Sequence, residues 1–204
     1  MAYLMTHSLL SSWLYAMRDN PYADASQEDT SREDFLRVLR REPTPTTEAM
    51  QNGIDFENLV TALIKDQPYD VPEWEASASQ IASILRGSQL QYVATKHIVV
   101  NGLELLLYGR LDALKAGRIY DIKFSRKYER GKFIDSTQHP MYLELVPEAN
   151  SFSYLVSNGS EVWTETYRRD EVQPIIPIIS NFLTWLTNTD NMPIYKQYWG
   201  ARYE

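Results

Sequence analysis

Up to Gly87, apolar residues recur at intervals of three and four, which is the spacing of one helix face. Four helices are predicted on this basis: residues 9–17, ended by Asn20-Pro21; residues 31–41; residues 47–64, stopping near Pro68; and residues 77–86, closed by Gly87. This part of the chain is therefore predicted to be helical.

After Gly87 the spacing of apolar residues changes to that of strands. Residues 92–100 lead into Asn101-Gly102, a strong hairpin signal, and residues 103–108 return antiparallel. A second turn, at residues 115–118, separates residues 110–114 from residues 119–124. Two hairpins in series predict a three-stranded antiparallel meander.

The rest of the chain alternates between helix and strand patterns. The first predicted helix has Thr137 as its cap and Pro140 in its first turn. It is followed by strands at residues 152–156 and 162–167, a helix over residues 174–186 and an aromatic tail that includes Tyr203. Together they predict an α/β fold with a central mixed sheet, antiparallel hairpins and flanking helices. We divide this one globular unit into an N-terminal helical segment (residues 1–46), a core (residues 47–170) and a C-terminal helix and tail (residues 171–204).

Composition narrows the classes of function. Of 204 residues, 44% are hydrophobic and 12% aromatic, which suffices to fill a core and excludes a wholly disordered chain. The net charge of −7 argues against a generally basic nucleic-acid coat but says nothing of a local patch. The absence of Cys excludes disulfides, Cys-ligated zinc, a thiol nucleophile and a Cys-held iron–sulfur cluster.

The chain shows no membrane or export signal. No apolar run approaches the roughly 18 to 20 residues of a membrane-spanning helix, and no basic segment precedes the apolar run at the N-terminus. We therefore expect a cytoplasmic protein without a membrane partner.

The second hairpin concentrates charge. A turn closed by Lys115 opposite Arg118 sets a register in which Asp112 lies opposite Asp121. Directly opposite residues have Cβ atoms about 4.5 to 5.5 Å apart, and like charges placed so are destabilising. Strand alternation also predicts that Asp112, Asp121 and Lys123 share one face of the sheet.

Two interpretations of this hairpin are open. Its charged face is either solvated, with Lys123 relieving the two acids, or part of a sheet covered on both sides, where charges must be paired or bound to metal. Two carboxylates without sulfur ligands suit a hard cation, Mg²⁺ or Mn²⁺. A nearby lysine then suits stabilisation of a phosphate or orientation of an attacking water.

Three short motifs follow one another along the chain: Gly109-Arg110-Leu111-Asp112, Asp121-Ile122-Lys123 and Gln138-His139-Pro140-Met141-Tyr142. In order and spacing they resemble the RecB-like branch of the PD-(D/E)XK nuclease superfamily. That branch has an acid on its second strand, acid-x-Lys on its third, and Gln-x-x-x-Tyr opening the next helix. Residues 50–57 also resemble its first-helix motif, Gly followed shortly by an acid. The resemblance covers residues 50–167 and, more faintly, the helix from Ser8 to Trp13.

The resemblance implies a restriction-endonuclease-like core and a role for each matching residue. Asp112 and Asp121 would bind the metal together with the backbone carbonyl of Ile122. Glu57 would be an additional metal or water ligand, and Lys123 would act on the water or the scissile phosphate. Gln138 and Tyr142, one helical turn apart, would organise the site and contact the DNA strand.

The chain also departs from the branch. The first-helix motif often contains a histidine, where this chain has Ile54, Asp55 and Phe56. Asp55 competes with Glu57 for the acidic position, and either acid fits a surface helix as well. Gln138 and Tyr142 fit a polar helix start followed by a core tyrosine. The iron–sulfur cluster of some members is impossible without Cys.

A basic run follows the second hairpin. Arg126, Lys127, Arg130 and Lys132 adjoin the proposed site, and with Arg110 they are the predicted DNA-binding residues. Aromatic residues in or beside this run are candidates for stacking on bases: Tyr120, Tyr128 and Phe133. The alternative for this run is an ordinary solvated loop.

The resulting hypothesis is a metal-dependent DNA nuclease that uses Mg²⁺ or Mn²⁺. We expect an exonuclease in DNA recombination, repair or end processing, acting on double-stranded ends or single strands, with a possible phage origin and recombination or replication partner. Two alternatives stay open: a catalytically silent nuclease-fold module that binds DNA or protein, and a binding or structural protein whose acids only solubilise a hairpin.

Overall fold

The structure is a computed structural model that describes residues 1–18, 30–69 and 71–201. The predicted helix end at Asn20-Pro21 and the predicted tail residue Tyr203 lie outside the described residues. Within the described ranges, no helix is long and apolar enough to cross a membrane.

The described residues form six strands and seven α-helices. In chain order they are β1 Tyr3–Met5, α1 His7–Ala16, α2 Ser31–Leu39, α3 Glu48–Ile64, α4 Glu75–Leu85, β2 Gln89–Val100, β3 Leu103–Lys115, β4 Arg118–Phe124, α5 Gln138–Leu145, β5 Ser151–Ser157, β6 Val162–Arg168, α6 Ile176–Asn188 and α7 Met192–Tyr198, with a single 3-10 turn at Pro72–Trp74 before α4.

The strands form one mixed sheet. Its order is β1-β3-β4-β5-β6, and β2 pairs with β3 as well. β3 runs antiparallel to β2 and β4 and parallel to β1; β5 runs parallel to β4 and antiparallel to β6. The predicted α/β fold class, a mixed sheet with antiparallel hairpins flanked by helices, is confirmed.

Two tight turns build the predicted meander from β2, β3 and β4. Asn101 and Gly102 have φ values of 51° and 76°, and Ala116 and Gly117 have 49° and 71°. Two consecutive positive φ values are typical of the type I′ turn, whose twist matches that of the flanking strands. The hairpin signal was correct, and both predicted hairpins form.

The sheet separates two apolar clusters. The larger contains buried residues of α1, α2, α5, α6 and the C-terminal Tyr195 and Trp199. The smaller packs α3 and α4 on the sheet through residues such as Phe56, Leu59 and Ile81. Because both faces are covered near β4, the middle of this strand, residues 119–122, is buried.

Two elements were not predicted. β1 was missed because three residues without a turn signal carry too little pattern, and α7 lies in the segment predicted as an aromatic tail. Residues 103–108 and 110–114 belong to one continuous strand, β3, as the predicted three-stranded meander requires. Pro177 is accommodated because it stands in the first turn of α6, where the missing N–H has no helical partner.

Helix α5 lies against β3 at Gly109. A Cβ atom added to Gly109 would be 2.6 Å from Cε1 of Tyr142 and 2.8 Å from Cδ1 of Leu145. The Tyr142 ring has little freedom to retreat, because its hydroxyl donates to the Arg110 carbonyl at 3.1 Å. Only glycine permits this close approach of helix and strand.

We therefore predict that Gly109→Ala destabilises the protein by about 1–3 kcal/mol, the usual cost of overpacking. Urea unfolding measures the change. Gly53→Ala is the matched control: its added methyl meets nothing within 4 Å in the interior of α3, so it should stabilise by about 0.5–1 kcal/mol. Equal unfolding midpoints for wild type and Gly109→Ala would contradict this packing.

Candidate active site

The site lies at a gap along one edge of β3. β2 pairs with β3 along one edge, and β1 and β4 share the other edge. On that edge β1 pairs with residues 105–107 and β4 with residues 113–115, which leaves residues 108–112 without a strand partner. The Tyr142 hydroxyl reaches into this gap to bond the Arg110 carbonyl. A gap of this kind lets side chains approach backbone groups that a neighbouring strand would otherwise occupy.

Asp112 ends the pairing of β3 with β4. The predicted register is confirmed at Lys115–Arg118 and continues to Ala113–Tyr120. Beyond it the ladder stops, and Oδ2 of Asp112 accepts a hydrogen bond of 2.8 Å from the Ile122 N–H. Asp112 and Asp121 are thus not a ladder pair, because a carboxylate has taken the place of a strand carbonyl.

The predicted strict alternation of faces also fails at Asp112. Leu107 and Leu111 pack in the larger cluster, whereas Ala113 packs in the smaller one, so the strand reverses its faces between them. Across β2, Gln91 has a φ of 52° and is left out of the pairing with Asp112. The local distortion turns Asp112 toward the gap.

Asp121 is buried, with 3% of its surface exposed. Its Oδ1 accepts a hydrogen bond from Nε2 of Gln138, the first residue of α5. Its Oδ2 lies 2.8 Å from Nζ of Lys123 but makes no regular hydrogen bond with a described residue. The interpretation of a solvated acidic face is therefore wrong for Asp121.

Glu57 joins the cluster from the other side of the sheet. α3 carries it, and Nε2 of Gln91 donates to its Oε1 at 2.8 Å. Its charge acts on both Asp112 and Lys123. Asp55, the competing acid, instead accepts a hydrogen bond from Gln51 one turn earlier on α3. The structure thus brings Glu57 to the cluster.

Burial and charge together set the titration of the cluster. Burial raises the pKa of Asp112 well above its usual range, and the neighbouring charges of Asp121 and Glu57 raise it further. Burial opposes the charge of Lys123, but Asp121 and the other acids outweigh it and raise the pKa of the ammonium. Three carboxylates therefore surround one ammonium, and the cluster is short of positive charge.

A divalent cation would neutralise this excess of negative charge. Oδ2 of Asp121 is a buried oxygen without a regular hydrogen bond, and the cluster offers oxygen donors of the kind that Mg²⁺ and Mn²⁺ prefer. Within residues 1–18, 30–69 and 71–201, no group of three or more His, Asp or Glu side chains is placed to hold a metal ion, so Asp112, Asp121 and Glu57 do not form a three-carboxylate metal site. The carboxylate oxygens fit an open metal site whose other ligands are water molecules. Ile122 lies beside this site, where its N–H donates to Asp112.

Gln138 and Tyr142 both face the cluster, as their spacing predicts. Burial raises the pKa of Tyr142, and the charge of Asp121 raises it further, so the phenol stays protonated and donates to Arg110. His7 was missed in the sequence. Its ring meets Tyr142 edge-on at 5.3 Å, and burial followed by the charge of Lys123 lowers its pKa to about 4. Its position at the start of α1, directly before the faintly matching residues 8–13, was the available signal.

The predicted DNA-binding residues are exposed beside the cluster. Arg110 is exposed on β3, and Lys127 and Arg130 are exposed in the segment of residues 125–136, which we call the basic loop. Arg126 forms an exposed ion pair with Glu48 at 3.2 Å. Lys132 donates to Ser125 Oγ at 2.8 Å and to the Lys127 carbonyl at 3.2 Å, which closes the loop on itself.

A buried carboxylate anchors the basic loop. Glu165 of β6 accepts hydrogen bonds from the hydroxyls of Tyr128 and Tyr167 and from the backbone N–H groups of Gly131 and Phe133. Burial opposes its charge, but these bonds outweigh burial and lower the pKa of Glu165. Sequence reasoning missed this role, because the contact joins residues more than 30 positions apart.

The aromatic residues proposed for base stacking serve the fold instead. Tyr120 is 8% exposed and belongs to the smaller cluster. Phe133 stacks on Tyr154 with ring centroids 4.3 Å apart, and Tyr128 bonds Glu165. These rings position the basic loop rather than offering a free face to a base.

Comparison with known proteins supports the fold alone. No protein-family model matches the chain, and no curated protein matches it. Among solved structures, the chain is similar to the crystal structure of SSO0001, with 14% sequence identity and a TM-score of 0.53 over 91% of this chain and 77% of that chain. At this identity the likeness extends to the α/β architecture and not to the activity.

The crowding of acids yields a stability prediction. Because the pKa of Asp112 is raised, the folded protein holds a proton that the unfolded chain releases, so wild-type stability falls as pH rises above the ordinary value of 3.8. Without divalent cations, Asp112→Asn should raise the free energy of unfolding at neutral pH by about 1 kcal/mol or more. Asp55→Asn, a matched acid on α3, should change it by less than about 0.5 kcal/mol. If Asp112→Asn does not raise the free energy of unfolding, the proposed repulsion among the acids is contradicted.

The Glu165 anchor yields a second prediction. Because its pKa is lowered, its stabilisation is complete above the ordinary value of 4.5 and is lost as pH falls below it. Glu165→Gln should therefore cost about 2 kcal/mol near neutral pH, with the difference vanishing in acid. Trypsin, which cuts after Arg and Lys, should also cleave the basic loop faster in this variant. Glu129→Gln, an exposed acid of the same loop, is the control and should match wild type.

Proposed function

We propose that the protein is a metal-dependent DNA nuclease that hydrolyses phosphodiester bonds. The observation that carries the proposal is the cluster itself: buried Asp121 is held by Gln138 and Lys123, beside Asp112 and within the field of Glu57. Carboxylates in excess over ammonium groups suit Mg²⁺ or Mn²⁺, and the RecB-like resemblance assigns phosphodiester hydrolysis to residues at these positions.

A divalent cation bound here would supply an activated water and neutralise charge on the phosphate. The chain's own residues have separate tasks. Gln138 fixes the carboxylate of Asp121, and the Ile122 N–H fixes that of Asp112. Lys123, with its Nζ 2.8 Å from Asp121, is placed to stabilise the phosphate charge that develops during hydrolysis. Glu57 would orient water from the opposite face, where Gln91 restrains it.

The basic loop supports DNA as the substrate. It leads from β4, which carries Asp121 and Lys123, to α5, which carries Gln138, so its cations adjoin the scissile position. Arg110 adds an exposed guanidinium two residues before Asp112. Cations beside a metal site replace the counterions of a phosphate backbone. Exonuclease action in recombination, repair or end processing is the part of the proposal that rests on the resemblance.

A silent nuclease-fold module is the second candidate. The observation in its favour is the direct contact between Lys123 and Asp121, which already pairs the buried carboxylate without any cation. Such a module would bind DNA through the basic loop and leave it intact. Metal-dependent degradation of DNA separates the two candidates.

The deciding experiment incubates linear and circular, single- and double-stranded DNA with Mg²⁺, Mn²⁺ or EDTA. We expect cleavage with either metal and none with EDTA; activity on linear DNA alone would identify an exonuclease. Asp121→Asn and Lys123→Ala should each lower the rate by about a hundredfold or more. Glu57→Gln should lower it less, and Asp55→Asn should leave it unchanged.

Folding controls accompany the two strongest variants. Lys123→Ala leaves three acids without a counter-charge, so far-UV circular dichroism at the assay pH must show the wild-type spectrum. Full activity in both folded variants would place the reaction elsewhere in the molecule, and intact DNA under every wild-type condition would favour the silent module.

A further inference from the structure

A cavity of about 610 Å³ lies along the half of β3 that precedes the candidate active site. β1, β3 and the C-terminal residues form its walls. The side chains of most chemical interest are two cations and two phenols: Arg41, Lys196, Tyr108 and Tyr198. We call this cavity the basic groove. None of its residues belongs to the cluster or to the basic loop.

Aromatic rings hold the two cations of the basic groove. The guanidinium of Arg41 lies 4.3 Å from the ring centre of Trp199, and Nζ of Lys196 lies 6.0 Å from that of Tyr3. Neither cation forms an ion pair with a described residue. Two acids nearby pair with other cations: Glu104 lies 3.4 Å from the amino group of Met1, and Glu42 lies 3.6 Å from Arg40. Among the described residues, the lining of the groove therefore contains positive charge and no acid.

The backbone of Arg41 is also unusual. Its φ of 55° is in the left-handed region, which costs free energy for a residue with a Cβ. This conformation follows the end of α2 and places the guanidinium over Trp199, whose Nε1 donates to the Leu39 carbonyl at 2.8 Å. The arrangement holds the exposed guanidinium at the rim of the groove.

β3 connects the basic groove to the candidate active site. Leu106 and Tyr108 line the groove, Arg110 is exposed two residues further, and Asp112 follows. Leu106, Tyr108 and Arg110 share a face, because alternate residues of a strand do. The four residue steps from Tyr108 to Asp112, where the strand reverses its faces, span about 13 Å. On the neighbouring strand, Val93 is paired with Arg110 and is 50% exposed, so none of the described helices covers this position.

We propose that the basic groove binds a single strand of DNA that extends beyond the scissile position. Arg41 and Lys196 would contact its phosphates, and Tyr108 and Tyr198, the latter 40% exposed, would stack on its bases. Arg110 would contact the backbone between the groove and the cluster. The inference rests on the proposed function for the identity of the ligand, but binding in the groove does not require the metal.

The test measures binding of fluorescein-labelled oligothymidylates of increasing length by anisotropy in EDTA, over a series of salt concentrations. Wild type should bind more tightly as length increases. The double variant Arg41→Asn/Lys196→Gln should bind at least about tenfold more weakly, and its slope of log K against log salt should be shallower by about 1.4, or 0.7 for each lost cation. Asn tolerates a positive φ, so this variant should fold.

Two further variants separate stacking from charge. Tyr108→Leu should weaken binding by about tenfold with an unchanged salt slope, because stacking involves no counterion release. Arg168→Gln removes an exposed, ion-paired cation on the distant strand β6 and should match wild type in both affinity and slope.

The inference is overturned if the double variant keeps the wild-type salt slope. It is also overturned if affinity does not grow with length and inorganic phosphate competes as well as the oligonucleotide, since the groove would then bind a free anion only. Its failure is distinguishable from that of the proposed function: groove-dependent binding in EDTA without any Mg²⁺-dependent cleavage refutes hydrolysis alone, and cleavage with an unchanged slope refutes the groove alone.

Discussion

The candidate active site depends on one electrostatic constraint: three carboxylates share a single, largely buried ammonium. Asp112, Asp121 and Glu57 approach Lys123 from three elements, and each acid is held by a neutral donor, namely the Ile122 N–H, Gln138 and Gln91. Neutral donors fix the geometry without cancelling the charge. The cluster therefore keeps an excess of negative charge, which is the basis of the proposed cation site and of the proposed hydrolysis.

The irregular shape of β3 accommodates these crowded acids. Along one edge β3 pairs with β1 and β4 and leaves a gap between them, and at Asp112 the strand reverses its faces. Gly109 lets α5 approach the gap, so Tyr142 bonds a carbonyl that has no strand partner. β3 thus positions Asp112, has its Arg110 carbonyl bonded by Tyr142, and continues to the basic groove.

A second buried carboxylate has the opposite task. Glu165 accepts four hydrogen bonds, its pKa is lowered, and its charge is fully satisfied inside the fold. Asp112 accepts one backbone bond, and its pKa is raised. Glu165 thus stabilises the structure by anchoring the basic loop. Asp112 instead has too few hydrogen-bond donors to offset its burial and its acidic neighbours. Burial and the charges of Asp121 and Glu57 raise the pKa of Asp112, whereas four hydrogen-bond donors lower that of Glu165.

Features that depend on neighbours along the chain were predictable from the sequence. Type I′ turns at Asn101-Gly102 and Ala116-Gly117 determined the meander and its register, and helical spacing brought Gln138 and Tyr142 to one side. The folded structure was needed to establish that Asp112 leaves the ladder and that Glu57 rather than Asp55 joins the cluster. It was also needed to establish that His7 packs on Tyr142 and that Glu165 anchors the basic loop. These depend on contacts between distant segments, because strand distortion and burial arise only when helices pack on the sheet.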